Sequence, residues 1–293
     1  MKKMTRRNFF EKSLMIGAGS FIAPSLLQLQ TVEAAQGPRW IGKNDISLAQ
    51  WSLVDEINAG KWKTLDFPKI ARQDFGLNGI EFVNTLFEVP TFTYLNQLKK
   101  NAEDNGVEMV LIMIDLEGET CTPSKEERKQ TVINHRKWID IANYLGCHAI
   151  RTNCRGADGI SKTEALKWSA ETYNMMLDYA IPANISILIE NHGGVSDDAD
   201  WLVSLMKEVN NKYLGILPDW RQPGGEIDNM EYLRKTLPYA GGMSFRNQPT
   251  DKLNEQMIKM TYKTGFRGWY GVESNGRENI HKSIELLNKY LLK

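Results

Sequence analysis

Between residues 40 and 293 the chain alternates, eight times over, between two kinds of segment. One kind is a short run rich in Ile, Leu and Val: 46–52, 78–84, 107–114, 147–153, 185–191, 213–219, 240–246 and 269–274. The other is longer and places apolar residues at helical spacing: 64–76, 91–105, 125–145, 162–183, 198–211, 228–238, 252–265 and 278–292. Near-continuous apolar runs are what strands need when both faces are covered. Gly76, Gly106, Gly146 and Gly265 fall where a helix hands over to a strand, the place where a left-handed residue ends a helix. Eight strand–helix units at roughly thirty-residue spacing is the count of a closed (β/α)8 barrel. An open doubly wound sheet is the rival, but it usually carries a glycine-rich phosphate turn after its first strand, and none follows here. No Pro/Ser-rich linker or charge block divides the region. The expectation is an α/β protein with one (β/α)8 barrel over 40–293.

A parallel barrel gathers its chemistry at the C-terminal ends of its strands, so residues far apart in sequence meet at one mouth. The last four strand candidates close alike, with an apolar run, a polar residue and a loop. The polar residues are Glu190 in ISILIENHGG, Asp219 in YLGILPDWRQ, Ser244 in YAGGMSFRNQ and Glu273 in GWYGVESNG. Three carboxylates meeting at one mouth suit a divalent cation, proton transfer, or both. A plainer reading makes Glu190 and Glu273 loop caps and Asp219 an Asx-turn after Pro218. His192, two residues beyond Glu190, is a ligand, a substrate donor or a loop histidine. Arg246 alternates with Ser244 and so shares its side of the strand. There it would grip a carboxylate, a phosphate or sugar hydroxyls, or pair with Asp219 or Glu273. Glu81, Asn84, Arg151 and Asn153 add polar groups to the expected rim. Trp51, Phe82, Trp220 and Phe245 are either flat walls for sugar rings or core. No GxSxG, HExxH or P-loop string occurs.

Composition narrows the partners. Formal net charge is zero, so nothing in the balance indicates a nucleic-acid face. Cys121, Cys147 and Cys154 form no metal or CxxC spacing and read as buried thiols. Residues 1–35 read as an export signal, with basic MKKMTRRNFFEKS, apolar LMIGAGSFIAPSLLQLQ and a small-residue cleavage zone ending at Ala34 and Ala35. Adjacent Arg6 and Arg7 give it a twin-arginine character. Pro24, Gln28 and Gln30 break the apolar run below spanning length, so no stable membrane anchor is expected. The expected location is the periplasm; homo-oligomerisation is left open.

The strings GLNGIEFVN, TVINHRKWIDIANYLGCHAIRTN, IENHGG, LPDW and GVESNG resemble the sugar isomerase/epimerase superfamily with a xylose isomerase-like TIM barrel, over roughly residues 45–290. In that superfamily a metal is commonly held by Glu, Asp, His and Glu from strands five to eight. Carried over, the resemblance implies Glu190, Asp219 and Glu273 as ligands, with Ser244 where the His would stand and Arg246 where a Lys would. It implies Mn, Mg or Co, with the serine a poor ligand for a soft metal. It implies Glu190 and Glu273 as the catalytic pair, abstracting a proton beside a carbonyl through an enediolate. His192, Arg246, Glu81, Asn153 and Trp220 would bind a small, non-phosphorylated carbohydrate. The alternatives are a lyase or hydratase acting on keto-glycosides, and a non-catalytic carbohydrate-binding protein with a decayed metal site. An endonuclease of the same barrel superfamily is disfavoured by four histidines and zero net charge.

Overall fold

The chain divides into residues 1–36 and 37–293. A computed structural model describes residues 44–157, 159–221 and 228–291, all within the second unit. The expected export signal lies outside the described residues. Among those described, no helix is long and apolar enough to cross a membrane.

Eight parallel strands form one sheet: β1 (Asp45–Ala49), β2 (Gly79–Val83), β3 (Glu108–Met113), β4 (Ala149–Asn153), β5 (Ser186–Glu190), β6 (Leu214–Leu217), β7 (Met243–Phe245) and β8 (Trp269–Val272). They pair in the order β6-β5-β4-β3-β2-β1-β8-β7. The seam between β6 and β7 is closed by bridges Ile216–Ala240 and Asp219–Ser244. Backbone bonds from Ser244 N to Pro218 O and from Trp220 N to Ser244 O complete it. Apart from the single-turn helix Val54–Asn58, the α-helices among the described residues are α1 (Phe67–Phe75), α2 (Phe92–Asn105), α3 (Lys125–Leu145), α4 (Lys162–Ala180), α5 (Ala199–Val209), α6 (Asn229–Thr236), α7 (Asp251–Lys263) and α8 (Arg277–Leu291). The (β/α)8 barrel expected from the alternation is therefore the fold. Its helices start on side-chain caps such as Ser124, Ser161, Asp198 and Asp228, each accepting an orphan backbone N–H. Gly146 ends α3 at φ 84°, a conformation that costs glycine nothing.

Strand periodicity sorts the apolar residues into two cores. Ile80, Phe82, Ile112, Ile150, Ile187, Ile189 and Phe245 pack outward against the helices. Ala49, Val83, Leu111, Met113, Ala149, Leu188, Leu217 and Trp269 fill the barrel interior. The lumen is thus packed, not a channel, and the mouth chemistry rests on an apolar floor.

Side chains extend the strand ladder past the last backbone pairs. Gln50 Oε1 accepts from Val83 N at 3.0 Å. Asn84 brackets Asp115, with Oδ1 accepting from its N–H and Nδ2 donating to its carbonyl. Asn191 does the same to Asp219, at 2.8 and 3.0 Å. Ser52 Oγ donates to Val272 O and accepts from Ser274 N. A primary amide carries one donor and one acceptor side by side, like a peptide unit, so it continues the ladder where the backbone turns away. Rigid placement of the mouth residues follows.

Candidate active site

Alternation aims Arg151 and Asn153 from β4, Glu190 from β5, Asp219 beyond β6, Ser244 and Arg246 from β7 and beyond, and Glu273 beyond β8 into one mouth. The contacts among them confirm it. Arg246 Nε donates to Asp219 Oδ1 at 2.8 Å and its Nη2 to Glu273 Oε1 at 2.5 Å. Ser244 Oγ donates to the other Glu273 oxygen at 2.7 Å. Arg151 Nη1 donates to Asp115 Oδ1 at 2.8 Å and to Asn153 Oδ1 at 3.1 Å. Its Nε lies 3.0 Å from Glu190 Oε2, in ion-pair contact but outside hydrogen-bond geometry. His192 Nδ1 lies 3.5 Å from the same oxygen. Arg221 reaches in from the β6–α6 joint, its Nε 3.3 Å from Asp219 Oδ2 and its Nη2 2.7 Å from Asp197.

Burial sets the electrostatics. Glu190 is 1% exposed, and burial pushes its carboxyl well above the usual range; Arg151 opposes the shift, while Glu273 and Asp219 add to it. Burial also raises Asp219, to about 6, with Glu273 raising it further and Arg246 pulling it back. Burial works against the charge on Asp115 too, but there the neighbouring Arg151 wins and the pKa falls. His192 is lowered to about 4, by burial and then by Arg151, Arg155 and Arg221, so its imidazole is neutral at physiological pH. Carboxylates brought toward neutrality at a mouth are suited to exchanging protons with a ligand.

Two expected substrate contacts are corrected by the structure. Glu81 is not on the rim. It sits in the middle of β2, paired with Ala49 and Leu111, 1% exposed, and hydrogen-bonded to Ser47 Oγ at 2.6 Å. Its carboxylate fills the space a side chain at Gly271 would need, two residues below Glu273. Burial there raises it to about 8, Ser47 opposing and Glu273 adding. Trp220 is 2% exposed and packs on Phe245 at 5.0 Å, because its neighbour Asp219 takes the inward direction and sends it into the helix layer. Phe82 and Phe245 are buried outward as well, leaving Trp51, half-buried beside the lumen, as the aromatic available to the mouth.

The four-residue metal set Glu190, Asp219, Ser244 and Glu273 is also redrawn. The Arg246 guanidinium stands between Asp219 and Glu273, and Ser244 spends its hydroxyl on Glu273. What converges is Glu190, His192 and Asp219, whose ligand atoms all lie within 4.8 Å of one another. Both Glu190 oxygens, His192 Nδ1 and Asp219 Oδ2 are buried and accept no hydrogen bond. Buried acceptors left this way cost about 1–3 kcal/mol each unless a ligand satisfies them, so this donor set fits a divalent cation. Asn191, Asp115 and Arg221 escaped the sequence reading. Asn191 does stand inside the IENHGG string, but nothing in a sequence marks an amide that will bracket the next strand.

A profile of the xylose isomerase-like TIM barrel family matches residues 70–240. The chain belongs to that family. Comparison with curated proteins by sequence finds no match. Among solved structures it is similar to a D-tagatose 3-epimerase-like protein, with TM-score 0.68 and 19% identity, covering 84% of this chain and 97% of that one. It is similar to a D-psicose 3-epimerase, with TM-score 0.67 and 14% identity, covering 84% and 99%. A 3-keto-D-glucoside 4-epimerase from E. coli gives TM-score 0.65 and 10% identity, covering 85% and 98%. At these identities the likeness establishes the fold.

Proposed function

We propose that this chain is a carbohydrate isomerase or epimerase that moves a proton beside the carbonyl of a non-phosphorylated sugar. The observation that carries the reading is the pair Glu190 and Glu273 at one mouth: Arg246 bridges Glu273 to Asp219, and Asp219 and Glu190 offer carboxylate oxygens within 4.8 Å of each other. The epimerase structures it resembles supply the reaction class. Among the described residues, Arg151, Arg221 and Arg246 are each engaged with carboxylates, which disfavours a phosphate at this mouth. The N-terminal string supports an exported, periplasmic protein meeting free sugars or glycosides.

The residues divide the work as follows. Asn153 and the half-buried Trp51 position the sugar. Arg246 Nη1 has no protein partner among the described residues and is the donor for the substrate oxygen that gains charge. One glutamate takes the carbon-bound proton, and the electron pair moves into the carbonyl to give the enediolate. The other glutamate returns a proton, to the neighbouring carbon for isomerisation or to the opposite face for epimerisation. The fixed guanidinium stabilises the developing oxyanion without reorganising. A divalent cation held by Glu190, His192 and Asp219 would supply further polarisation of the sugar oxygens.

The test is solvent exchange. Wild-type protein incubated in D2O with a panel of ketoses and 3-keto-sugars, with and without added Mn2+, is expected to place deuterium on a carbon next to the carbonyl of at least one sugar. A folded protein that binds sugars yet exchanges none of them is the carbohydrate-binding alternative, and overturns the enzyme reading.

A further inference from the structure

Glu190 ends β5 and Glu273 directly follows β8, yet their oxygens are treated differently. Each Glu273 oxygen accepts a hydrogen bond, one from Arg246 and one from Ser244. Neither Glu190 oxygen accepts any, although the residue is 1% exposed. Asp219 divides along the same line. Its Oδ1 accepts from Arg246 Nε and from Arg221 N, while Oδ2, 3.3 Å from Arg221 Nε, accepts no hydrogen bond. Among the strand-end carboxylates at the rim, the unsatisfied oxygens therefore belong to Glu190 and Asp219 and not to Glu273. His192 Nδ1 completes them: it is buried, has no hydrogen-bond partner, and lies with the Glu190 and Asp219 ligand atoms within 4.8 Å.

We infer that this chain holds its divalent cation on a displaced set, Glu190, His192 and Asp219, with Arg246 occupying the position between Asp219 and Glu273 and excluding Glu273 and Ser244 from coordination. Charge balance agrees. Asp115, Glu190, Asp197, Asp219 and Glu273 face Arg151, Arg221 and Arg246, with Arg155 beside His192, an excess of one negative charge when all are ionised. A site built from one imidazole and two carboxylates suits an ion that accepts nitrogen and oxygen ligands together, such as Mn2+, Co2+ or Zn2+, better than Ca2+, which takes six to eight oxygens. Asn191 supports the set from behind by bracketing Asp219 through its backbone, and Ser196 Oγ accepts from His192 N at 3.1 Å. Those second contacts hold two of the three ligands without consuming a ligand atom. The inference concerns the same mouth as the proposed enzyme activity, but its readout is metal binding and needs no turnover.

The probe is Mn2+ added to chelator-treated full-length protein, followed by titration calorimetry and by pulsed EPR for nitrogen coupled to the bound ion. The expected result is one Mn2+ per chain with a coupled imidazole nitrogen. His192→Ala should remove the nitrogen signal and weaken binding by roughly tenfold or more, at least the effect that outer-shell changes alone produce. Glu273→Gln and Ser244→Ala should retain both the stoichiometry and the nitrogen signal. Circular dichroism on each variant separates lost binding from lost fold, and His192→Gln is the second variant should the alanine protein prove unstable. Absence of stoichiometric Mn2+ from folded wild type, or a nitrogen signal that survives His192→Ala while binding fails in Glu273→Gln, overturns the inference.

Discussion

The β7–β8 half of the mouth and the β4–β6 half carry the same residue types in different states. On the β7–β8 side Glu273 is saturated by Ser244 and Arg246, and no oxygen is left over. On the other side Glu190 touches Arg151 at 3.0 Å without a hydrogen bond, and His192 and Asp219 each keep a free acceptor. The contrast teaches that sequence position alone does not assign a carboxylate its task. Two glutamates at equivalent strand ends differ because one faces a β-strand that offers Ser and Arg, and the other faces strands that offer only a guanidinium edge and an imidazole.

Removing either glutamate should give the largest effect. Glu190→Gln and Glu273→Gln keep the shape of the side chain but cannot exchange a proton, so turnover should fall by about 10²–10⁴-fold in each. The two should then part company in stability. Glu273→Gln breaks a charge-assisted pair with Arg246, whereas Glu190→Gln replaces a buried carboxyl whose oxygens accept no hydrogen bond. Chemical denaturation should find Glu190→Gln the more stable of the two; the reverse order would break the comparison.

Arg246→Ala comes next. It removes the donor proposed for the oxyanion and the bridge between Asp219 and Glu273, leaving Arg221 as the remaining cation beside Asp219. Turnover should fall by about 10²–10³-fold, the cost of one preorganised donor. Stability should drop by about 1–3 kcal/mol, less than for a fully buried pair because the side chain is 29% exposed. Arg246→Lys should restore the charge but not the two-pronged grip, so recovery of stability without recovery of rate would sharpen the role given to the fork.

Beneath both halves lies Glu81, and it makes a pH prediction. Its folded pKa, about 8, exceeds the unfolded value of 4.5, so between these the native state holds a proton that the unfolded chain has lost. The group's contribution is fully present below pH 4.5 and is lost as pH rises through about 8. The slope of that loss is at most about 1.4 kcal/mol per pH unit. Glu81→Gln should flatten stability against pH across this window. A curve unchanged by the substitution would show that Glu81 is already ionised in the fold.

Much of this arrangement was legible in the chain. Eight apolar runs with glycine stops gave the barrel, and strand-end position gave Glu190, Asp219, Arg246 and Glu273, because period-two alternation aims them. The same alternation should have sent Trp220 outward once Asp219 was placed inward. Glu81 was misplaced for another reason: its depth depends on the barrel's stagger and on the missing side chain at Gly271, neither of which is local. The amide brackets of Gln50, Asn84 and Asn191 are likewise invisible in sequence, since each joins residues 28 to 33 positions apart. Strand β7 is shorter than its apolar run, 243–245 against 240–246, because only isolated bridges tie it to β6.

The most direct measurement follows the two glutamates separately in D2O with a sugar that the wild type converts. If they serve opposite faces or neighbouring carbons, each single Gln variant should still exchange one substrate proton while forming no product, and the two variants should exchange different positions or different partners of the substrate–product pair. Loss of all exchange from one variant together with full exchange in both directions by the other would contradict the two-glutamate account.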